Sequence, residues 1–106
     1  MYARSTTTQG NPQMIDDAIA YLRDEAMPVV TAMDGCIGLS MMCDRETGRC
    51  IATSSWASED AMHNSEPAMH DMRMRYAQMM GSQPEVKEWE IALMHRVHPA
   101  PDLRSV

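Results

Sequence analysis

Residues 34–62 read D-G-C-I-G-L-S-M-M-C-D-R-E-T-G-R-C-I-A-T-S-S-W-A-S-E-D-A-M, and this stretch contains the clearest pattern of secondary structure in the chain. Apolar residues alternate on both sides of the charged segment Asp44–Arg49, which is typical of a β-hairpin with its turn at that segment. Ser58 can cap a following helix, because its hydroxyl can accept a hydrogen bond from a free amide of the first turn. Glu59 and Asp60 suit the positive end of the same helix. The stretch therefore predicts two antiparallel strands that lead directly into a helix.

The turn also predicts the register of the hairpin. Pairing the two ends of the turn segment places Cys43 opposite Cys50 and, at the far end, Ile37 opposite Trp56. One mostly apolar face then consists of Ile37, Leu39, Met41, Cys43, Cys50, Ala52 and Trp56. We expect this face to pack against the helices.

Composition limits the kinds of partner that the chain can have. Its 106 residues suffice for one domain, and 23% charged and 44% hydrophobic residues are ordinary for a globular protein. A net charge of −6 argues against a nucleic-acid partner, because phosphate binding needs clustered Lys and Arg. There is no apolar run long enough to cross a membrane, and no secretion signal at the first residues, so we expect a cytoplasmic protein. Three cysteines without C-x-x-C spacing fit a reducing compartment.

The remaining segments complete the order of elements. Residues 2–9 are rich in Thr and Ser and suit a strand. Residues 11–33 repeat apolar side chains at steps of three and four, as an amphipathic helix does, and Pro28 should loosen its last turns. Pro67 should interrupt the second helical region, and residues 85–96 read as a last strand. The order β-α-β-β-α-β predicts a ferredoxin-like α+β fold, a four-stranded antiparallel sheet with helices on one face.

The last strand indicates a partner for the other face of the sheet. It alternates apolar residues on both faces, which are Trp89, Ile91 and Leu93 on one and Ala92 and Met94 on the other. Two helices can cover only one face, and an uncovered apolar face usually binds a partner. We therefore expect a homodimer that packs sheet against sheet. We expect one domain over residues 1–98 and a C-terminal tail over 99–106.

Three motifs resemble a known family. They are D-G-C-x-G before the second strand, the short charged hairpin turn, and W-x-S-E-D-A leading into the second helix. Together they resemble the antibiotic biosynthesis monooxygenase-like domains of the dimeric α+β barrel superfamily. The resemblance implies a homodimer with a pocket between sheet and helices in each subunit. Some members oxygenate polycyclic aromatic or quinol substrates without metal or flavin, and others bind and degrade haem.

The haem-degrading branch differs from this chain in its functional residues. The resemblance assigns that branch an Asn on the first strand and a His on the second helix. Here the first strand offers Arg4, Ser5 and Thr6 and has no Asn, while His70 lies on the matching helix. Haem degradation is therefore the less favoured expectation. We expect no bound cofactor and no metal, since the sequence has no metal-ligand cluster.

The polar residues near the expected pocket are the candidates for chemistry. A cofactor-free oxygenase deprotonates an activated phenol or anthrone and lets the carbanion react with oxygen, which needs a base or hydrogen-bond donors beside an apolar cavity. The candidate catalytic residues are His70 and Tyr76, and the candidate substrate-binding residues are Arg4, Ser5, Trp56, Met69 and Met72. Two of these residues also have a structural interpretation: Trp56 can be a core residue, and His70 can be the surface partner of Glu66, four residues earlier.

The high methionine content fits two different functions. The chain has thirteen Met and no Phe, and a Met-lined wall can adapt to a bulky apolar ligand or simply fill the core. One hypothesis is a cofactor-independent monooxygenase-like enzyme that acts on an aromatic or quinone-like small molecule. The other is a non-catalytic small-molecule-binding or stress-response domain. A cavity with converging polar groups beside His70 and Tyr76 favours the enzyme, whereas a closed core favours the binding domain.

Overall fold

The computed structural model describes residues 1–97, and its elements follow the predicted order. They are β1 (Tyr2–Gln9), α1 (Ile15–Tyr21), α2 (Met27–Thr31), β2 (Cys36–Asp44), β3 (Arg49–Trp56), α3 (Glu59–Asn64), α4 (Glu66–Met80) and β4 (Glu85–Glu90). The strands form one antiparallel sheet in the order β2-β3-β1-β4, and the helices pack on one of its faces. The ferredoxin-like α+β fold is therefore confirmed. The predicted tail over residues 99–106 and the domain end at residue 98 lie outside the described residues.

The first helical region adapts to its proline. Asn11 caps the start of the region, since its side chain accepts from the Gln13 amide at 2.9 Å. Pro28 falls in the first turn of α2, and residues 22–26 just before it form a π-helical turn. Proline lacks an amide hydrogen and crowds the preceding turn, so a wider turn on its N-terminal side relieves the conflict. The prediction that Pro28 loosens the helix is confirmed.

The hairpin has the predicted register over most of its length but not at its open end. Cys43 pairs with Cys50 as expected. At the other end the register shifts between Cys36 and Gly38, and Cys36 rather than Ile37 is the partner of Trp56. An extra residue of this kind is a β-bulge, which breaks the alternation of faces, so that here the side chains before the bulge differ from the prediction. The expected place of Ile37 on the apolar face is therefore wrong: Ile37 is exposed, and Cys36 packs against the buried cluster of Trp56.

The helix-facing side of the sheet carries large side chains at its ends and small ones in the middle. At one end Trp56 packs with Val30 and Met62 in a buried cluster. At the other end Cys50 and Tyr76 belong to a second buried cluster. Between the clusters the strands contribute the small side chains of Thr6, Ala52 and Ser54. The bulky ends hold the two layers apart and leave a gap between them.

The last strand is shorter than predicted. It ends at Glu90 rather than at residue 96, because its neighbour β1 begins at Tyr2, the partner of Glu90. One further hydrogen bond joins the Ile91 amide to the carbonyl oxygen of Met1 at 2.9 Å. Residues 91–97 therefore lie outside the sheet, and the side chain of Leu93 is 91% exposed instead of alternating within a strand.

The sheet face away from the helices is left open in the monomer. Trp89 on β4 is 51% exposed there, and Met42 on β2 is also exposed. Ser5 lies on the same face, where its Oγ accepts a hydrogen bond from Trp89 Nε1 at 2.9 Å. Within residues 1–97, no helix combines the length and apolar character that a membrane span needs.

Candidate functional site

A cavity occupies the gap between the two core clusters. Its sheet side is formed by Arg4, Thr6, Leu39, Ala52 and Ser54, and its helix side by Leu22, Ala26, Val30, Met69, Met72, Arg73 and Tyr76. About 450 Å³ in this region is free of protein atoms, the open mouth included, but the centre of a water molecule can move through only about 40 Å³. The cavity is therefore a narrow slot. Its methionines have three rotatable bonds each, so rotation of these side chains can widen it.

Short side chains on two neighbouring strands create this slot. Thr6 and Ala52 are direct Cα partners across β1 and β3, and Ser54 follows two residues later on the same side of β3. A strand that places Ala and Ser at alternate inward positions cannot fill the space under a helix, since neither side chain reaches the other layer. The signal was present in the sequence at residues 52–54, but it becomes a cavity only once the facing helix is known.

Arg4 is the most deeply buried charge of the site. Its side chain is 2% exposed and spans from β1 to the junction of α3 and α4. Nη1 donates to Ser65 Oγ at 3.1 Å, and Nη2 donates to the carbonyl oxygen of Met62 at 2.9 Å. Nη2 also lies 3.2 Å from Glu66 Oε2 and 3.4 Å from Glu88 Oε2. The guanidinium is thus paired with carboxylates and joins the sheet to the helices.

Arg73 is the second arginine of the wall, and sequence reasoning did not find it. Its Nη1 and Nη2 donate to the two carboxylate oxygens of Glu66 at 2.8 and 2.9 Å. These hydrogen bonds lower the pKa of Glu66, and the charges of Arg73 and Arg4 act in the same direction. Glu66 is therefore ionised and bridges Arg4 and Arg73. Glu88, which lies beside Arg4, supplies the second negative charge that balances the two arginines. The cavity wall is mostly apolar, and both arginines among its described lining residues are paired with carboxylates.

The wall also carries the hydroxyl groups of Thr6, Ser54 and Tyr76. Tyr76 Oη accepts from Thr8 Oγ1 at 3.3 Å, and Ser54 Oγ accepts from Trp56 Nε1 at 2.9 Å. Because each oxygen accepts in these contacts, each hydroxyl keeps its own hydrogen to donate. Burial raises the pKa of Tyr76 to about 12, so Tyr76 stays protonated at neutral pH. The wall can donate hydrogen bonds to a carbonyl or phenolate oxygen, and Tyr76 is not a base there.

Four of the seven predicted site residues meet at the cavity. Arg4, Met69, Met72 and Tyr76 all belong to its lining. The three on α4 follow the steps of three and four residues that place side chains on one helix face. These four residues therefore share one cavity, and their roles in binding or catalysis stay predictions.

Ser5, Trp56 and His70 do not line the cavity. Ser5 points to the opposite face, because side chains alternate along a strand and Arg4 points inward. Trp56 is fully buried in a core cluster, which agrees with its structural interpretation. The side chain of His70 is 58% exposed, and its Nδ1 lies 3.5 Å from Asp71 Oδ1. A catalytic role for His70 stays a prediction without a place in the wall.

The same fold occurs in solved structures of other proteins. A putative antibiotic biosynthesis monooxygenase from Deinococcus radiodurans matches with a TM-score of 0.68 and 14% identity, over 93% of this chain and 100% of that chain. The monooxygenase ActVA-Orf6 of Streptomyces coelicolor, in complex with nanaomycin D, matches with a TM-score of 0.69 and 11% identity, over 95% and 92%. The heme-degrader MhuD of Mycobacterium tuberculosis, with two hemes bound in its active site, reaches 0.71 at 13% identity, over 91% and 100%. This chain has the antibiotic biosynthesis monooxygenase fold.

Two uncharacterized proteins of Mycobacterium tuberculosis are similar to this chain in sequence. The uncharacterized protein Rv2557 of Mycobacterium tuberculosis is 53% identical over 98 residues, which are 92% of this chain and 44% of that protein. The uncharacterized protein Rv2558 of the same organism is 46% identical over 100 residues, 94% of this chain and 42% of that protein. This chain therefore spans less than half the length of these relatives. No family model matches the sequence.

The position of Arg4 predicts how its loss affects stability. Arg4→Ala removes charged hydrogen bonds between the layers and leaves space behind, so the free energy of unfolding should fall by about 2–4 kcal/mol. Arg4→Met should lose less, because an apolar side chain of similar length fills the space without a buried charge. Arg45→Ala, which removes an exposed ion pair with Asp16, serves as the control. Urea unfolding checks this, and equal stability of Arg4→Ala and Arg45→Ala would contradict the anchoring role.

The raised pKa of Tyr76 predicts a loss of stability in alkali. Its pKa is 10.0 in the unfolded reference and about 12 in the fold, so the folded state holds the proton more tightly. This stabilisation is complete below pH 10 and is lost as the pH rises toward 12. Cys50, whose pKa rises from 9.0 to about 12, acts with the same sign. In a Cys50→Ser background, Tyr76→Phe should therefore flatten the fall of the melting temperature over this range, and identical slopes would exclude Tyr76 as a contributor.

Proposed function

We propose that this chain binds a planar aromatic or quinone-like small molecule in the cavity and oxygenates it without a bound cofactor. The observation that carries the proposal is the pair of hydroxyl donors, Ser54 and Tyr76, on the wall of a mostly apolar slot that methionine side chains also line. An aromatic ketone fits this chemistry, since its rings can pack against thioethers while its carbonyl oxygen accepts from the hydroxyls. The fold shared with a monooxygenase that holds nanaomycin D supports the choice of ligand class.

The proposed reaction converts an activated ring methylene, as in an anthrone, to a carbonyl. Loss of a methylene proton to solvent at the cavity mouth turns the ketone oxygen into an enolate oxygen, and hydroxyl donors stabilise that charge. The carbanion form then reacts with dioxygen. One oxygen atom stays on the ring carbon and the other leaves as water, with the electrons supplied by the substrate. Tyr76 and Ser54 act as donors to the enolate oxygen, and the acidity of the substrate replaces a strong protein base.

A second candidate is a non-catalytic small-molecule-binding domain that uses the same slot. It is favoured by one observation: among the described lining residues there is no His, Asp or Glu to accept the proton. Haem degradation remains the less favoured proposal, because β1 contains no Asn and His70 lies outside the wall. Within residues 1–97, no group of three or more His, Cys, Asp or Glu side chains is arranged to hold a metal ion.

The proposed protein partner is a second copy of this chain, with the two open sheet faces in contact. Trp89 and Met42 are exposed on that face, and large apolar side chains left open by the helices are the kind that self-association buries. The acidic net charge of −6 makes nucleic acid a poor partner.

Filling the slot should abolish ligand binding. Ala52→Leu places a larger side chain in the cavity, so an anthrone such as dithranol should no longer raise the melting temperature, as a ligand of the native state does in the wild type. Thr53→Leu is the matched control, since residue 53 points to the opposite face of the same strand. Differential scanning fluorimetry checks this. An unchanged ligand effect in Ala52→Leu would place the binding site elsewhere.

Oxygen uptake separates the two candidate functions. With an anthrone as substrate, Tyr76→Phe should lower kcat by roughly 10- to 100-fold and change Kd little, because its hydroxyl stabilises charge that develops during the reaction. His70→Ala should keep the wild-type rate, since its side chain is outside the wall. A slow His70→Ala enzyme would restore His70 as the base. Binding by the wild type without oxygen uptake would favour the non-catalytic domain.

The proposed dimer makes a separate prediction. Sedimentation at micromolar concentration should show a species of twice the 11.9 kDa chain mass. Trp89→Asp should dissociate it, because a carboxylate would be buried at the interface without a partner. Met74→Asp, a matched change at an exposed methionine of α4, should leave the dimer intact. A wild-type monomer would contradict the proposed sheet-to-sheet contact.

A further inference from the structure

Two cysteines face each other across the hairpin, at the end of the sheet away from Trp56. Cys43 on β2 and Cys50 on β3 are direct Cα partners. Residues directly opposite in an antiparallel pair have Cβ atoms about 4.5–5.5 Å apart, and a disulfide joins Cβ atoms about 3.5–4.5 Å apart. An approach of about 1 Å therefore suffices to join them. We propose that Cys43 and Cys50 form a reversible redox site, which a peroxide converts from a dithiol to a cross-strand disulfide.

The two thiols have different surroundings and hence different roles. Cys43 is exposed, whereas Cys50 is fully buried. Burial, followed by the adjoining Cys43 thiol, raises the pKa of Cys50 to about 12, so Cys50 remains a thiol at neutral pH. A peroxide in solvent therefore meets Cys43 first. Cys50 is already in place to react with the product.

The oxidation balances in two steps. The Cys43 thiolate attacks a peroxide oxygen, the O–O bond breaks, and Cys43 becomes a sulfenic acid while hydroxide leaves and takes up a proton. The Cys50 sulfur then attacks the Cys43 sulfur, the S–O bond breaks, and the departing hydroxide takes the Cys50 proton. Two thiols and one hydrogen peroxide thus give one disulfide and two waters. A small thiol reverses the reaction by disulfide exchange.

This redox site adjoins the cavity through Tyr76. Cys50 pairs across the sheet with Thr8, whose hydroxyl donates to Tyr76 Oη at 3.3 Å. Cys50 and Tyr76 also belong to one buried cluster. Closure of the disulfide draws Cys50 toward Cys43 and removes its hydrogen from the neighbourhood of the Tyr76 hydroxyl. The oxidation state of the hairpin therefore alters the environment of a residue in the cavity wall.

The third cysteine is an internal control. Cys36 lies seven residues before Cys43 on the same strand, which is roughly 23 Å at the rise of a β-strand. It pairs with Trp56 at the opposite end of the sheet and is half-buried. A folded chain therefore cannot join Cys36 to either of the other two.

Peptide mapping after treatment with hydrogen peroxide tests the site. In the wild type and in Cys36→Ser, we expect two thiols to be lost within one chain, a linked peptide containing Cys43 and Cys50, and full recovery with dithiothreitol. Cys50→Ser should accumulate a sulfenic acid at Cys43 that dimedone traps, and Cys43→Ser should react at least tenfold more slowly. Disulfides only between chains, a bond to Cys36, or oxidation of Cys43 to sulfinic acid with Cys50 free would overturn the proposal. The wild-type map decides this even where a variant folds poorly.

The effect of the disulfide on Tyr76 in the cavity wall can be measured without a ligand. Oxidation of Cys36→Ser should change the near-ultraviolet tyrosine spectrum, and Tyr76→Phe in the same background should remove that change while still forming the disulfide. A disulfide that leaves the tyrosine spectrum unaltered would overturn the link. Because no anthrone is present, failure of this experiment is distinct from failure of the proposed function.

Discussion

A buried guanidinium holds the middle of this molecule together. At both ends of the sheet, large side chains fill the space between strands and helices, but in the middle Thr6, Ala52 and Ser54 are too short to do so. Arg4 crosses that gap and binds the junction between the last two helices. An ionic contact can join the layers at one point without filling the volume beside it. The cavity and the stability of the layer above it therefore depend on the same residue.

Local signals in the sequence were sufficient for most of the fold. Ser58 accepts from the Ala61 amide, as its place before Glu59 and Asp60 predicted. Errors occurred where a partner strand decides the outcome. The bulge at Ile37 adds a residue that alternation cannot reveal, and β4 ends at Glu90, whose partner on β1 is Tyr2. Such features belong to two segments at once, so the pattern of either one alone does not contain them.

The residues of the candidate site could likewise be predicted only in part. Arg4 and Tyr76, which residue type made candidates, both line the cavity. Ser5 and His70, each one position away from a lining residue, point elsewhere, because one step along a strand or helix changes the face. Arg73 was missed because its role depends on its ion pair with Glu66. The small strand residues under the cavity were missed because they leave a gap only where a helix lies opposite them. The sequence shows which residues can take part in chemistry. The directions of their side chains depend on how the sheet and the helices pack together.

The π-helical turn at residues 22–26 has a consequence for the shape of the slot. Leu22, Ala26 and Val30 all line it, at intervals of four residues, and in a regular helix each such interval shifts the side chain by about 40° around the helix axis. The wider turn absorbs this drift and keeps the three side chains over the sheet. Loss or gain of one residue in this turn would rotate everything after it, Val30 included, by about a quarter of a turn. The geometry of the slot is thus sensitive to changes in chain length at a place where no lining residue need be replaced.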